Sequence, residues 1–225
     1  MQSDRGLKMH PQKIILLATT NPGKMAELTA MLGELAEQIH WKTLADFPHL
    51  PPIPEDDSTF AHNARKKALG YAQAAGLLTL ADDSGLVIDA LAGRPGVRSA
   101  RFAEQIPSNA DRKTIDRLNC EKVLRLLQTV PPEKRTARFV CRLCLADDRQ
   151  VLLETEGTLE GRIIDKPIGE NGFGYDPIFW IPSLKKTVAQ LPPHEKNRIS
   201  HRAQAVRNFK VLLEDFLQHR GPQPR

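Results

Sequence analysis

The sequence predicts an α/β fold: a mixed central β-sheet flanked by helices. Two observations predict it. Helical and extended segments alternate along much of the chain, as in βαβ units. Two long β runs, residues 136–146 and 151–164, then follow one another across Asp147 and Asp148 and read as a hairpin. Parallel and antiparallel pairing are therefore expected in one sheet.

The elements follow in order. After a polar arm to about Gln12, residues 14–18 form a continuous apolar run, the pattern of a strand buried on both faces. Asn21 then suits a helix N-cap with Pro22 at the first helical position, and Met25, Leu28, Met31, Leu32 and Leu35 recur at helical spacing. Beyond the polar, proline-rich stretch 48–57, Ser58 or Thr59 caps a helix running through Ala64, Ala68, Tyr71 and Ala75 to Gly76. Residues 77–81 read as a strand that stops at Asp82, and Gly85 breaks the chain before another extended segment over 86–91. Gly93, Pro95 and Gly96 mark an irregular connection. Ser108 and Asp111 form a capping box for a helix reaching about Gln128, closed by Pro131 and Pro132. The hairpin comes next. A final helix over 196–219 places Ile199, Ala203, Val206, Phe209, Leu213 and Phe216 on one face. The expected organisation is an arm over 1–12, one domain over 13–219 and a tail over 220–225.

Composition narrows the class. At 225 residues and 40% hydrophobic, the chain can bury a sizeable core. Its net charge of +5 favours an anionic partner without saying which. No apolar run approaches the roughly 20 residues that span a bilayer, and the N-terminus lacks a secretory core, so a cytoplasmic, membrane-free protein is expected. Three cysteines are too few for a disulfide framework. Cys141 and Cys144 have zinc-like spacing but fall in a strand, where side chains three apart point to opposite faces, so buried thiols are expected.

Four segments carry chemistry. In Thr19-Thr20-Asn21-Pro22-Gly23-Lys24 a strand ends, glycine loosens the turn and a helix begins; the helix N-terminus offers N–H groups to a phosphate, with Lys24 adding a full charge. An ordinary capped turn would look the same. Asp82, Asp83, Ser84 and Gly85 sit at a strand end with Glu55 and Asp56 upstream, and acids at element ends suit Mg²⁺, which takes one or two carboxylates beside substrate phosphates. Alternation sends Asp82 and Asp83 opposite ways, one to a cleft and the other to brace the turn. The cluster 169–177 allows close backbone approach at its glycines, with Phe173 or Tyr175 to stack on a base and Asp176 to accept hydrogen bonds from it; a loop packed on the core is the plainer alternative. In the last segment, Lys196 to Arg202, the residues Ser200, His201 and Arg202 are about 100° apart on a helix, so some must face outward or into a cleft. Arg202 suits a phosphate or base carbonyl and His201 a hydrogen bond to the base; a solvated basic face is the plainer alternative.

Together these segments, in this order, resemble the inosine triphosphate pyrophosphatase family of non-standard purine nucleoside triphosphate pyrophosphatases. The resemblance spans about Ile14 to Phe216, and the segment from Gly93 to Arg101 adds a fifth match. It implies two lobes around a nucleotide-binding cleft, hydrolysis of deaminated purine nucleotides such as ITP, dITP and XTP to monophosphate and pyrophosphate, Mg²⁺ as cofactor, and a homodimer. By position it implies a phosphate-binding turn at Thr19, Thr20, Asn21, Pro22, Gly23 and Lys24. Asp83 matches the magnesium ligand and proton acceptor, Ser84 the neighbouring substrate contact, and Glu55 an acid implicated in metal binding. Phe173, Gly174, Tyr175 and Asp176 match the base-recognition loop, Lys196, His201 and Arg202 further nucleotide contacts, and Asn63 and Lys67 the active-site helix. One departure is His62, which stands where an acid commonly precedes the asparagine.

Two alternatives stay open at this stage. One is a Maf-like pyrophosphatase for pyrimidine or modified nucleotides. The other is a basic nucleic-acid binding module, which the 5% aromatic content, the dispersed positive charge and the lack of a recognised binding motif argue against.

Overall fold

The structure, a computed structural model, describes residues 13–35 and 39–219; the expected N-terminal arm and C-terminal tail lie outside them. Strand β1 (Lys13–Ala18) leads into helix α1 (Pro22–Leu32), and β2 (Ile39–Thr43) into α2 (Phe60–Ala75). Strand β3 (Leu78–Ile88) is followed, after an irregular stretch, by α3 (Arg112–Leu126). The hairpin is β4 (Thr136–Ala146) and β5 (Val151–Ile163), as expected, and the short β6 (Phe179–Ile181) and β7 (Lys186–Thr187) extend the sheet. Helices α4 (Pro193–Ile199) and α5 (His201–His219) close the described chain.

The sheet order is β2-β1-β3-β4-β5-β6-β7. Its β2, β1 and β3 members are parallel, and every later pairing is antiparallel. The expected mixed α/β architecture is present.

Strand alternation sorts the core into two layers. Ile15, Leu17, Leu80, Cys141 and Leu143 face one side, against Leu28 and Leu32 of α1 and Val206, Phe209 and Leu213 of α5. Leu16, Ala18, Ala81, Cys144 and Ala146 face the other, against Ala64, Ala68 and Tyr71 of α2. Cys141 and Cys144 therefore lie on opposite faces, free and buried, and burial pushes both thiols up to about 12. A third cluster joins Leu86 and Ile88 to Val123 and Leu127 of α3 and Phe179 of β6.

Four local expectations need correction. Residues 78–88 form one unbroken strand, with no stop at Asp82 and no break at Gly85, because β4 pairs with β3 continuously from Thr79↔Ala146 to Ile88↔Ala137. Long-range hydrogen bonds override the turn propensity of Asp-Asp-Ser-Gly. Gly85 serves close approach instead: a Cβ there would come within 2.7 Å of the Gly96 carbonyl oxygen and 2.9 Å of Phe60. Helix α3 is capped by Asp111 accepting from Thr114 N at 2.8 Å, not by a Ser108 box. The last helix is two, since Ser200 is extended (ψ 161) and separates α4 from α5. Ser200, His201 and Arg202 are all buried, at 1%, 6% and 1% exposure, with His201 and Arg202 turned to the cavity described below, as the expected cleft-facing positions.

Candidate active site

Strand β1 pairs with β3 through Ala18↔Ala81 and ends there, whereas β3 runs on to Ile88. Beyond that point the β1 side of β3 has no strand beside it, and a cavity of about 470 Å³ opens, within the usual range of small-molecule sites. Every site residue expected from the sequence lines it except Gly23 and Asn63. Both absent residues support it from behind.

The β3 alternation splits the two acids. Asp83 turns toward α2, where Asn63 Nδ2 donates to its Oδ2 at 3.0 Å and Lys67 Nζ lies 4.0 Å from its Oδ1. Lys67 also pairs with Glu55. Burial raises the Asp83 carboxyl above its ordinary value and the Glu55 charge adds to this, against the pull of Lys67, Lys24 and the Asn63 hydrogen bond. Burial pushes Glu55 the same way, but Lys67 and Lys24 outweigh it and hold that carboxyl below the usual range. Burial works against charge on Lys67, yet Asp82, Asp83 and Glu55 keep its pKa above the usual lysine value. Two neighbouring carboxylates with pKa values pushed apart are the pattern of a proton acceptor beside a fixed charge.

Asp82 turns the other way, toward α1 and α5. It braces no turn. Its Oδ2 lies 3.0 Å from Lys24 Nζ and 3.5 Å from Arg202 NH2, and accepts from Ser84 Oγ at 3.2 Å. Burial alone would raise this carboxyl; Lys24, Arg202 and Lys67 hold it far below the carboxylate range. Arg202 also donates to Ser84 Oγ at 2.8 Å and to Glu27. Glu27 binds Lys196 as well, at 2.7 Å, and Lys196 reaches Asp176. A chain of alternating buried charges thus ties α1, β3, α4 and α5 together.

Phe173 lies over this network. Lys196 Nζ is 4.4 Å and Arg202 Cζ 5.9 Å from its ring centroid, within cation–π range. Gly23 is glycine because of this ring: a Cβ would come within 2.7 Å of Phe173 Cε1. Loosening the turn is not its role, since it lies inside α1. Tyr175 is buried with its hydroxyl donating to Ser99 O at 2.8 Å, so of the two expected stacking rings Phe173 is the one left partly open. Asp176 is buried, its Oδ2 accepting from Phe173 N at 2.9 Å. His201 stacks on Phe139, centroids 4.9 Å apart, and burial together with the Arg202 and Lys196 charges holds its pKa well below 6.5. It is a neutral imidazole at physiological pH.

One expectation for the phosphate turn changes. The α1 N–H groups of Gly23 and Lys24 are taken by Asn21 Oδ1, at 2.9 and 3.2 Å. They are not open to an anion, so positive charge in the cavity comes from side chains: Lys24, Lys67, Lys196, Arg202 and also Arg101 and Arg112. Thr19 Oγ1 accepts from Asn21 N and shapes the turn, and Thr20 and Pro22 line the cavity with exposed edges.

Three carboxylates of the described residues line the cavity, and with Asp176 engaged by Lys196 and by Phe173 N, the donors for a divalent metal are Glu55 and Asp83. Among the described residues no group of three or more His, Cys, Asp or Glu side chains could hold a metal. Two hard oxygen donors beside an anionic ligand match what Mg²⁺ takes from a protein, so the residues fit an ion shared with substrate phosphates.

Residues 15–212 match the Ham1 family. The chain belongs to this family. Among its Ham1 relatives, it is 46% identical over 200 residues to a dITP/XTP pyrophosphatase of Shouchella clausii, covering 89% of this chain and 96% of that one. It is 44% identical to the dITP/XTP pyrophosphatase of Geobacillus kaustophilus, covering 93% and 98%. A Ham1 structure from Coxiella burnetii superposes with TM-score 0.79 at 41% identity, covering 91% and 100%, and the Staphylococcus aureus Ham1 protein with 0.77 at 36%, covering 90% and 99%.

For this Ham1 chain, sequence reasoning missed Glu27, Asp116, Phe139 and Arg112, and placed Arg101 in a matching segment without a role. Glu27 left a readable trace: it lies three residues after Lys24 and next to the buried Leu28, on the inward side of an amphipathic helix. Phe139 left none, because its inward register on β4 puts it in line with the core residues of that strand.

Proposed function

We propose that the chain is a nucleoside triphosphate pyrophosphatase for deaminated purine nucleotides, ITP, dITP and XTP, releasing monophosphate and pyrophosphate and so clearing the nucleotide pool. One observation carries the reading: the Glu55–Lys67–Asp83 cluster and the Phe173–Lys196–Arg202 cluster wall the same cavity. The first suits phosphate hydrolysis and the second suits a base. The names carried by the full-length relatives point the same way.

In this reading Phe173 covers the base. Arg202 and Lys196 supply donors that welcome a 6-keto oxygen and meet only another donor in the 6-amino group of adenine. Lys24 and Lys67 offset charge on the triphosphate. Asp83, with its raised pKa, takes the proton from a water whose oxygen attacks the α-phosphorus; the bond from that phosphorus to the bridging oxygen breaks and pyrophosphate leaves. Mg²⁺ held by Glu55 and Asp83 would neutralise phosphate charge and orient the leaving group.

A single domain over 13–219, a cytoplasmic location and a homodimer belong to the same reading. No described helix is long and apolar enough to cross a membrane. Light scattering at twice the 25.2 kDa chain mass checks the dimer.

The test is a product-resolved panel of ITP, dITP, XTP, GTP and ATP, with and without Mg²⁺, for the parent and Asp83→Asn. IMP plus pyrophosphate from ITP, lost in Asp83→Asn, is the expected result. IDP plus orthophosphate would overturn the reaction, and ATP turnover equal to ITP the base preference.

A further inference from the structure

The loop that carries Phe173 is pinned from outside the cavity network. Gly174 has φ +63, a left-handed residue in a tight loop, and both polar groups of this residue turn to side chains of α3. Its N–H donates to Asp116 Oδ2 at 2.8 Å, and its carbonyl accepts from Cys120 Sγ at 3.3 Å. Asp116 and Cys120 are one helical turn apart, so they meet the two ends of the residue together. The other oxygen of Asp116 lies 2.9 Å from Arg112 NH2, again one turn away, and Arg112 lines the cavity. Asp116 is 8% exposed and Cys120 4%. Other residues of α3 contact different places: Val123 and Leu127 fill the core, and Asn119 accepts from Ala103 N.

We propose that Asp116, assisted by Cys120, is a positioning residue for base selection. By fixing Gly174 it sets the plane of the Phe173 ring against Gly23, Lys196 and Arg202. The side chains of Asp83, Glu55 and Lys67 are held by one another, by Asn63 and by the Asp82 carbonyl, so releasing Gly174 loosens base recognition and leaves the chemical step in place. The inference rests on the reading of the cavity as a purine triphosphate site.

The experiment compares the full-length parent with Asp116→Ala and Asp116→Asn in steady-state kinetics on ITP and ATP, with products resolved and folding checked by circular dichroism. Asp116→Ala is expected to raise the KM for ITP and lower the ITP-over-ATP preference, each by about tenfold, as for a lost hydrogen bond to a charged group, with kcat within about twofold of the parent. Asp116→Asn keeps an amide oxygen for the Gly174 N–H and should stay within about threefold of the parent in KM. An Asp116→Ala enzyme with parental KM and preference, or an asparagine variant as impaired as alanine, overturns the proposal. Should Asp116→Ala fail to fold, Cys120→Val is read in its place: reduced ITP preference at parental kcat supports the proposal and unchanged preference overturns it. A parent that leaves ITP uncut overturns the functional reading and this inference with it, whereas a parent that cuts ITP beside an unaffected Asp116→Ala overturns the inference alone.

Discussion

Asp82→Asn tests the buried charge network most directly. The Asp82 side chain has no exposure, and its Oδ2 faces Lys24 at 3.0 Å and Arg202 at 3.5 Å. At 3.0 Å and an effective dielectric constant of about 20, the Lys24 pair alone is an attraction of roughly 5 kcal/mol before desolvation is counted. Neutralising one partner removes that attraction but leaves the desolvation of the other, which typically costs about 3–5 kcal/mol for a buried pair. Two features favour the lower end: Lys24 keeps 14% exposure and can reach water, and Arg202 retains Glu27. Asparagine also keeps an acceptor for Ser84. A loss of about 3 kcal/mol is expected, a shift of about 1 M in urea midpoint for a slope near 3 kcal/mol/M. Urea unfolding followed by circular dichroism at neutral pH reads it. Combining the substitution with Lys24→Met should cost clearly less than the sum of the two single changes, because the double variant leaves no unpaired charge at that contact. A single-variant loss below about 1 kcal/mol, or strict additivity in the cycle, would refute the reasoning that the network is coupled through Asp82.

Three further outcomes follow from named contacts. His201 is buried with its pKa well below 6.5, so as pH falls the unfolded chain takes up a proton that the folded chain refuses; its contribution to stability is lost below pH 6.5. The parent should therefore lose stability more steeply on acidification than His201→Asn, by up to about 1.4 kcal/mol per pH unit, as measured by urea titrations at a series of pH values. Gly157→Ala would drive a Cβ into the His201 carbonyl oxygen and to 2.5 Å from Ala205 N, both backbone atoms that cannot rotate away. A destabilisation of about 1–3 kcal/mol in thermal melts is expected, and an unchanged melting temperature would contradict the close approach of α5 to β5. Phe173→Ala should lower kcat/KM for ITP by about ten- to a hundredfold, as loss of a base-stacking ring does; undiminished kcat/KM would exclude the ring from base binding.

Much of the fold was legible in local pattern. The Leu-rich run of β1, the α2 cap at Thr59 with Gly76 at its end, and the β4–β5 hairpin stand where periodicity and turn residues put them. The opposite facing of Cys141 and Cys144 needed nothing beyond the period of a strand. Misreadings cluster where a distant partner decides. Asp-Asp-Ser-Gly looks like a turn, yet ten consecutive pairings with β4 hold it extended. Lys196 to Arg202 looks like one helix, and the Ser200 that divides it is marked only by its N-cap chemistry, its Oγ accepting from Ala203 N at 3.1 Å, with no glycine or proline at the break.

The site shows the same division. The sequence by itself picked out most of the charged and aromatic residues that line the cavity, because their types and order carry the chemistry and the family resemblance: all but Gly23 and Asn63 of the expected set reach it, whereas Phe139 and Arg112 came only with the fold. It also determined that Asp82 and Asp83 part company, since alternation is a property of the strand alone. Tertiary structure alone decided what each then does. Which acid is held ionised by Lys24 and Arg202 and which is raised by burial beside Glu55 depends on charges brought from α1, α2 and α5. The open face of Phe173, the neutral His201 and the grip of Asp116 on Gly174 depend likewise on elements remote in sequence. Propensity and periodicity act over a few residues, whereas burial and Coulomb interaction act over a few ångströms; only folding turns the first distance into the second.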